Sequence, residues 1–461
     1  MSVNLPRLLL DARKARRGGP AAIALRRRAR LAEMVAFARE CSPHYRELYR
    51  GLPERVEDVA LLPVTSKGDL MARFDGWVSD PEATIEKARA FADDPGLVGE
   101  RFLGKYLLAT TSGTTGTRGI FLVDDRAVAV RNALLLSRGV GAWLGARDLA
   151  KILAGGGRTA TVIATGGHFA GLAGASGTVR GGGRWRGDAV RVFPVHAPLP
   201  ELVSGLNRFR PAVLAGYASA IALLAGEQEA GRLRIDPALV LLAAEGLAEG
   251  GQERIAGAFG AKVGNVYAAT ECLHIGHGCA HGWLHVNADW AVLEPVDAHR
   301  DPVSPGEYSH TVLLTNLANR VQPVLRYDLG DGVLMRPAPC PCGDPLPAIR
   351  VEGRAADVLT FPAGPAEGVG SVAVPPLAFG SLVDRTPGVE LFQIVQTAPT
   401  RLSVRLLPAP GADPERVWRA VRAEVARLLS EHGLGHVAVE RAEEPPEQSP
   451  GGKYRTIVPM T

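Results

Sequence analysis

Lysine is scarce in this chain. Seven of the 52 Lys and Arg residues are lysine, and after Lys262 only Lys453 occurs, so the position of each lysine is informative. Cysteine is also sparse. Cys41, Cys272, Cys279, Cys340 and Cys342 are the whole set, and four fall in one window, which excludes the disulfide framework of a small secreted domain. No uninterrupted apolar run approaches the ~18 residues that a helical membrane span needs. There is no dominant charge: the formal net charge is +4 and the basic residues are dispersed, which argues against nucleic acid as a partner. Low-complexity tracts and internal repeats are absent, and a cytoplasmic, fully folded protein is expected.

What is present is material for a large core. Hydrophobic residues make up 46% and charged residues 22% of 461 residues, which implies two to four domains. Arg13, Lys14, Arg16, Arg17 and Arg26 to Arg28 recur among apolar residues at helical spacing. Glu33, Glu40 and Glu47 continue the pattern, so a solvated amphipathic helix is expected in preference to a targeting peptide. The segment Leu62-Pro63-Val64-Thr65-Ser66-Lys67 reads as a break and a helix cap.

From about residue 105, short apolar runs alternate with helical stretches: Tyr106 to Ala109, Lys151 to Leu153, Thr161 to Ala164, Ala212 to Ala215 and Val240 to Ala244. This predicts an α/β fold with mostly parallel sheets covered by helices. Over about 283–352 the pieces Trp283 to Val286, Ala291 to Glu294, Thr311 to Thr315 and Val324 to Tyr327 lie between Pro/Gly turns and predict a β subdomain. Leu391 to Gln396, Leu402 to Leu407 and a helix from Pro414 to Leu429 predict a small α+β module. The expected division is an N-terminal domain over 1–355 and a C-terminal domain over 356–461.

The most specific segment is Thr110-Thr111-Ser112-Gly113-Thr114-Thr115-Gly116-Thr117-Arg118-Gly119, between two strand-like runs. Hydroxyls interleaved with glycines can wrap N–H and O–H groups around phosphate oxygens, and Gly113 and Gly116 permit the positive φ of such a nest. The segment is neither a P-loop nor a dinucleotide fingerprint. It is followed in order by Asn265-Val266-Tyr267-Ala268-Ala269-Thr270-Glu271, Arg326-Tyr327-Asp328-Leu329-Gly330-Asp331, Gly353-Arg354-Ala355-Ala356-Asp357 and Gly451-Gly452-Lys453-Tyr454-Arg455. The ordered set resembles the adenylate-forming superfamily of acyl-CoA synthetases, adenylation domains and luciferases, and within it the phenylacetate-CoA ligase branch. The resemblance runs from about Tyr45 to Lys453.

That resemblance implies a role for each residue. Thr111, Ser112, Gly113, Thr114, Thr115 and Gly116 would hold the pyrophosphate portion of ATP. Thr270 would contact the α-phosphate and Glu271 would bind Mg²⁺, a hard cation that takes oxygen ligands. Ala244 and Glu245 would line the adenine slot with Tyr267 and Ala268 opposite, Asp331 would accept the ribose hydroxyls, and Arg354 would lie near ribose and phosphate. Lys453 would arrive from a mobile C-terminal lid that rotates about Asp357 and would neutralise charge in the transition state. Two departures stand out: Thr117-Arg118 replaces the Pro-Lys of many relatives, and Tyr267-Ala268 replaces Tyr-Gly.

Cys272, Cys279, Cys340 and Cys342 have the chemistry of a closed tetrahedral site for structural Zn²⁺, and a similar cysteine pattern occurs in some phenylacetate-CoA-ligase-like proteins. The alternatives are a Cys₃His set using His274, His277 or His281, and buried thiols without metal.

The acid pocket implied by the fold would lie near His168, Phe169, Tyr217 and Ala218. Small residues over Ala164 to Gly171 suit a compact or aromatic acid. The expected function is ATP-dependent activation of such an acid as its adenylate, with release of pyrophosphate and transfer to an acceptor. CoA is the first choice of acceptor. Amide formation with an amine, diazotisation of an arylamine with nitrite, and a non-catalytic nucleotide-binding scaffold are the other readings. No carrier-protein domain follows Lys453, which points to a free-standing ligase, and pairing with a second copy as a homodimer is compatible with the sequence.

Overall fold

The computed structural model describes residues 4–111, 119–163, 165, 168, 189–195, 197, 199–243, 250–354, 359–363, 370–374, 379, 382–383, 386–447 and 455–460. Two helices, Leu5–Arg17 and Gly19–Cys41, open the chain. Ser66 accepts from the Asp69 backbone N–H and caps the helix Lys67–Ala72, as the Pro-Thr-Ser break predicts. An antiparallel hairpin of β1 (Leu107–Thr110) and β2 (Ile120–Val123) follows, and all its strand residues are buried.

The large sheet has two halves. Its parallel half is β3 (Thr159–Ile163), β4 (Val190–Pro194), β5 (Val213–Tyr217), β6 (Leu239–Ala243) and β7 (Lys262–Ala269), in the order β4-β3-β5-β6-β7. Helices Leu199–Phe209, Ala218–Glu229 and Gly251–Phe259 alternate with these strands. One core of Leu206, Leu214, Ile221, Leu224, Val240 and Phe259 lies between them. Parallel strands need such crossovers, which explains the apolar runs separated by helical spacing.

The run Lys151 to Leu153 is an exception. It lies in the helix Ala146–Ala154, where Leu149 and Leu153 are exposed. Two apolar residues, Ile152 and Leu153, cannot distinguish the two periods, and the Ala, Leu and Lys beside them favour helix.

The other half is antiparallel. β7 turns into β8 (Cys272–Gly278), then β9 (Leu284–Val286). A separate three-stranded sheet is made by β10 (Ala291–Val296), β11 (Thr311–Asn316) and β12 (Tyr327–Asp328). The large sheet is completed by β13 (Asp331–Met335) and β14 (Ala348–Arg354), so the β-rich region is shared between two sheets.

β15 (Leu359–Pro362) and β16 (Ser371–Val374) form a small ladder. The C-terminal sheet has the order β19-β18-β17-β20, from β17 (Val389–Ala398), β18 (Arg401–Pro408), β19 (Ala438–Arg441) and β20 (Ile457–Val458). The helix Pro414–Glu431 buries Val417, Val421, Val425 and Leu428 in a separate α+β core. Among the described residues no helix is long and apolar enough to cross a membrane.

The N-terminal helices are held by charge. Arg138 and Asp289 are both fully buried, and two guanidinium nitrogens donate to the two carboxylate oxygens at 2.7 and 2.8 Å. Arg30 adds a bond to Asp289 at 3.0 Å, pairs with Asp11, and lies 3.6 Å above the Trp290 ring. Burial raises the pKa of the Asp289 carboxyl, but Arg138 and Arg30 outweigh it and hold the value below the usual range.

Candidate active site and metal centre

Ala269 pairs with Cys272, so Thr270 and Glu271 are the two residues at the tip of the β7–β8 hairpin. Glu271 is buried, and its carboxylate accepts a 3.0 Å hydrogen bond from the Tyr327 hydroxyl. Asn316 donates to the Glu271 backbone carbonyl at 2.9 Å, which fixes the tip from a second side. The Tyr267 hydroxyl donates to Asp331 at 2.6 Å, and Asp331 stands opposite Arg354 in the β13–β14 ladder. That hydrogen bond brings Tyr267 and Asp331 together across 64 residues of chain, with Glu271 four residues beyond Tyr267 at the hairpin tip.

The loop between β1 and β2 is closed at its base. The Thr111 N–H donates to the Gly119 carbonyl at 3.0 Å, and the Gly119 N–H donates to Thr111 Oγ1 at 2.9 Å. A Cβ on Gly119 would come within 2.8 Å of the Phe121 ring and 2.9 Å of Thr111 Oγ1, so the close approach requires glycine. Thr110 donates its N–H to the carbonyl of His168 at 2.6 Å.

A cleft borders Thr270 and Glu271. Its described walls include Val130, Arg131 and Leu134 from the helix Asp125–Leu134, and Cys272, Leu273 and His274 from β8. Burial lowers the Arg131 pKa to about 10 and holds the His274 imidazole well below its usual value, with the His277, Arg131 and Arg138 charges acting the same way.

At the far end of β8 lies a second constellation. Cys279, His285, Cys340 and Cys342 place one ligand atom each within 4.8 Å of one another. Cys279 Sγ is 3.7 Å from Cys340 Sγ, and Cys342 Sγ is 3.1 Å from His285 Nε2. His285 Nδ1 is 3.1 Å from the Leu346 carbonyl; that acceptor places the ring proton on Nδ1 and leaves the Nε2 lone pair facing the sulfurs. Two tight turns present the thiols: Gly282 (φ +70°) follows Cys279, and Gly343 (φ +79°) follows Cys340-Pro341-Cys342. Burial and the neighbouring Cys340 and Cys279 push the Cys342 thiol up to about 12. Three soft ligands and one imidazole, with a carbonyl orienting the ring, fit a closed tetrahedral zinc site.

No protein-family model matches the chain, and no curated protein matches it. Solved structures do. A 2-hydroxyisobutyryl-CoA ligase in its postadenylation state, in complex with 2-HIB-AMP, aligns with a TM-score of 0.65 at 20% identity, over 95% of this chain and 89% of that one. This is the adenylate-forming fold. An anthranilate CoA ligase in complex with anthranoyl-AMP aligns at 0.56 and 18% identity, over 75% of this chain and 64% of its own. A benzoate CoA ligase from Burkholderia xenovorans LB400 aligns at 0.52 and 16% identity, over 73% and 66%.

In this adenylate-forming fold the structure brings together Thr270, Glu271, Tyr267, Ala268 and Asp331, with Thr111 at the loop base. Arg354 is placed by its strand alone. Ser112, Gly113, Thr114, Thr115, Gly116, Phe169, Ala244, Glu245, Asp357 and Lys453 lie outside the described residues.

The metal ligand set needs a correction. Cys272 is the first residue of β8 and sits in the main core beside Glu271, whereas Cys279 follows the strand's other end. Seven residues of strand at ~3.3 Å each separate them by roughly 20 Å. His285 on the adjacent β9 takes the place expected for Cys272, because it pairs across the ladder with His277, two residues before Cys279. Of the histidines considered as variants, His277 instead faces Asp344 at 3.6 Å, and neither His274 nor His281 joins the cluster. The signal for His285 was its two-residue offset from Trp283 in a strand following a turn, visible only once β9 is paired with β8.

Proposed function

We propose that the protein activates a small acid as its adenylate, releasing pyrophosphate, and passes the acyl group to CoA. The observation that carries this reading is the β7–β8 tip. Thr270 and Glu271 sit on a rigid turn, Glu271 is oriented by Tyr327 and Asn316, and Asp331 is oriented by Tyr267 on β7, four strands along the large sheet. Two preorganised carboxylates suit a magnesium nucleotide, one for the metal and one for the ribose hydroxyls.

In this reading Asp331 binds the ribose, with the Tyr267 hydroxyl holding the carboxylate in one rotamer. Thr270 donates to the α-phosphate, and Thr111 to Gly116 enclose the pyrophosphate. Glu271 would hold magnesium, which supplies neutralisation of phosphate charge when bound. Lys453 reaches the α-phosphate as the acid oxygen attacks and stabilises the added negative charge. The module over 356–461 turns about Asp357 between the two half-reactions. The CoA ligases with related folds, two of them described with their acyl-adenylates, support this order of events and CoA as acceptor.

Cys279, His285, Cys340 and Cys342 would bind one structural Zn²⁺. All four positions are protein ligands, so the metal would clip the β8–β9 turn to the Cys340-Pro341-Cys342-Gly343 knuckle and take no part in the reaction. The test of the function is acid-dependent ATP–pyrophosphate exchange over a panel of acids, followed by thioester and AMP analysis with and without CoA. Exchange without CoA and thioester only with CoA is the expected result. Exchange with no acid, or product formation only with an amine or nitrite, would overturn the reading or its acceptor.

A further inference from the structure

We infer that Lys67 reaches the base of the β1–β2 loop from a separate helix, binds the pyrophosphate portion of ATP there and stabilises it as it leaves. This rests on the adenylation reading and adds to it a phosphate-binding residue from the N-terminal part of the chain.

A site that grips a triphosphate needs a cation close to the β and γ oxygens. Over Thr110 to Gly119 the loop sequence offers hydroxyls and glycines, no lysine, and Arg118 as its one cation. Lys67 comes to it from another element. A Cβ on Gly119 would lie 3.3 Å from Lys67 Cδ, so the lysine stem runs along the glycine that closes the loop on Thr111. The ammonium nitrogen is two bonds beyond that carbon. Lys67 is half-buried, as expected of a side chain that packs its stem and keeps its charged end in a polar place.

The approach is built into the fold from two sides. Met71 follows Lys67 by one turn on the same helix face, and its sulfur accepts from the Ile120 N–H at 3.4 Å, so the Lys67–Ala72 helix meets the start of β2 at successive turns. The entry to that helix is pinned as well. Thr65 donates its N–H to the Arg326 carbonyl and its hydroxyl to the Leu325 carbonyl, each at 3.0 Å, and its own carbonyl accepts from the Asp328 N–H at 2.9 Å. These bonds bracket Tyr327, whose hydroxyl donates to Glu271. Lys67 therefore stands two residues from the contact that holds the proposed magnesium ligand in place, with its stem on the loop base. Lys87, Lys105 and Lys151 instead bind carbonyl or carboxylate oxygens at exposed sites.

That position suits the leaving group. When the acid oxygen bonds to the α-phosphorus, the bond from phosphorus to the α,β-bridging oxygen breaks. The bridging oxygen keeps the electron pair, and pyrophosphate gains negative charge. An ammonium held beside it strengthens ATP binding and stabilises the departing charge without transferring a proton. Lys453 acts at the α-phosphate only as the reaction proceeds, so the two lysines have different signatures: Lys67 contributes to the binding of ATP itself.

The test uses the full-length protein and Lys67→Met, which keeps an unbranched stem against Gly119 and removes the charge. In calorimetry with magnesium present, ATP and pyrophosphate binding should weaken about 10-fold with AMP binding unchanged, the loss expected for one charge-assisted hydrogen bond. In acid-dependent pyrophosphate exchange, kcat/KM for ATP should fall about 100-fold with the KM for the acid unchanged, and Lys67→Arg should recover part of both losses. Equal weakening of ATP and AMP would overturn the proposal. ATP binding that is unchanged in Lys67→Met and weakened in Arg118→Ala would also overturn it, by giving the role to Arg118.

If no acid supports exchange, the adenylation reading fails. Selective loss of ATP and pyrophosphate binding in Lys67→Met would then still support the lysine's role, and wild-type protein that binds neither would overturn it. Circular dichroism and melting check each variant's fold, and Lys67→Gln carries the test if Lys67→Met does not fold.

Discussion

Replacing Cys340 by serine should remove the zinc and loosen the β8–β9 turn while leaving the adenylation chemistry in place. Cys279 and Cys340 are 61 residues apart, and closing a loop of that length stabilises the folded state by at most about 4 kcal/mol in a chain-entropy estimate. Much of this loop is already closed without metal, because His285 pairs with Ala348 across β9 and β14. The clip's own share is therefore smaller, about 2 kcal/mol, which for a domain of roughly 350 residues corresponds to a fall in melting temperature of roughly 2–4 °C.

Elemental analysis and thermal melts with and without chelator make the measurement. Wild type should carry about one zinc per chain and lose this increment on chelation, whereas Cys340→Ser should carry little zinc and ignore the chelator. Cys272→Ser is the discriminating control, since Cys272 lies in the core beside Glu271 and should leave the zinc content unchanged. Wild-type protein purified without added metal that contains none, and whose melting ignores both chelator and Cys340→Ser, would refute the reasoning.

Other outcomes follow from the same geometry. Asp289→Asn or Arg138→Met should each destabilise the fold by about 3–5 kcal/mol, because either leaves a fully buried partner uncompensated, and the double replacement should cost less than the sum in a thermal double-mutant cycle. Tyr267→Phe should raise the KM for ATP about 10-fold by freeing the Asp331 carboxylate, with the acid KM unchanged in pyrophosphate exchange. His274 has a folded-state pKa held well below 6.5, so the unfolded chain takes up its proton first. The stability this neutral imidazole contributes is present above about pH 6.5 and is lost as pH falls below it, and His274→Leu should flatten the fall in melting temperature between pH 7 and 5. Asp357→Pro fixes φ near −65° and should block one half-reaction while sparing the other, read by pyrophosphate exchange against thioester formation.

The parts of the site that could be read from sequence were those in which a motif is one local element. Thr270-Glu271 is a hairpin tip, Thr111 and Gly119 close one loop, and Ser66 caps one helix; in each the chemistry and the backbone geometry lie within about ten residues. Partners distant in sequence were not readable. Arg30 meets Asp289 across 259 residues and its side chain is only 12% exposed, a pairing that no local pattern indicates. The choice of His285 over Cys272 likewise depends on which strands pair, because a strand carries its two ends apart and its neighbour's residues close. The misplaced strand at Lys151 to Leu153 shows the remaining limit, since two apolar residues fit either period until the neighbouring elements are placed.

The central claim is adenylate formation by a lysine arriving from the C-terminal module, and Lys453→Ala tests it most directly. With an acid that the wild type activates, acid-dependent ATP–pyrophosphate exchange should fall by about 10²–10³-fold, the loss typical of one preorganised charge contact in the transition state. ATP binding, measured by calorimetry on the same preparation, should stay within a few-fold of wild type. Wild-type exchange in the Lys453→Ala protein would contradict the account.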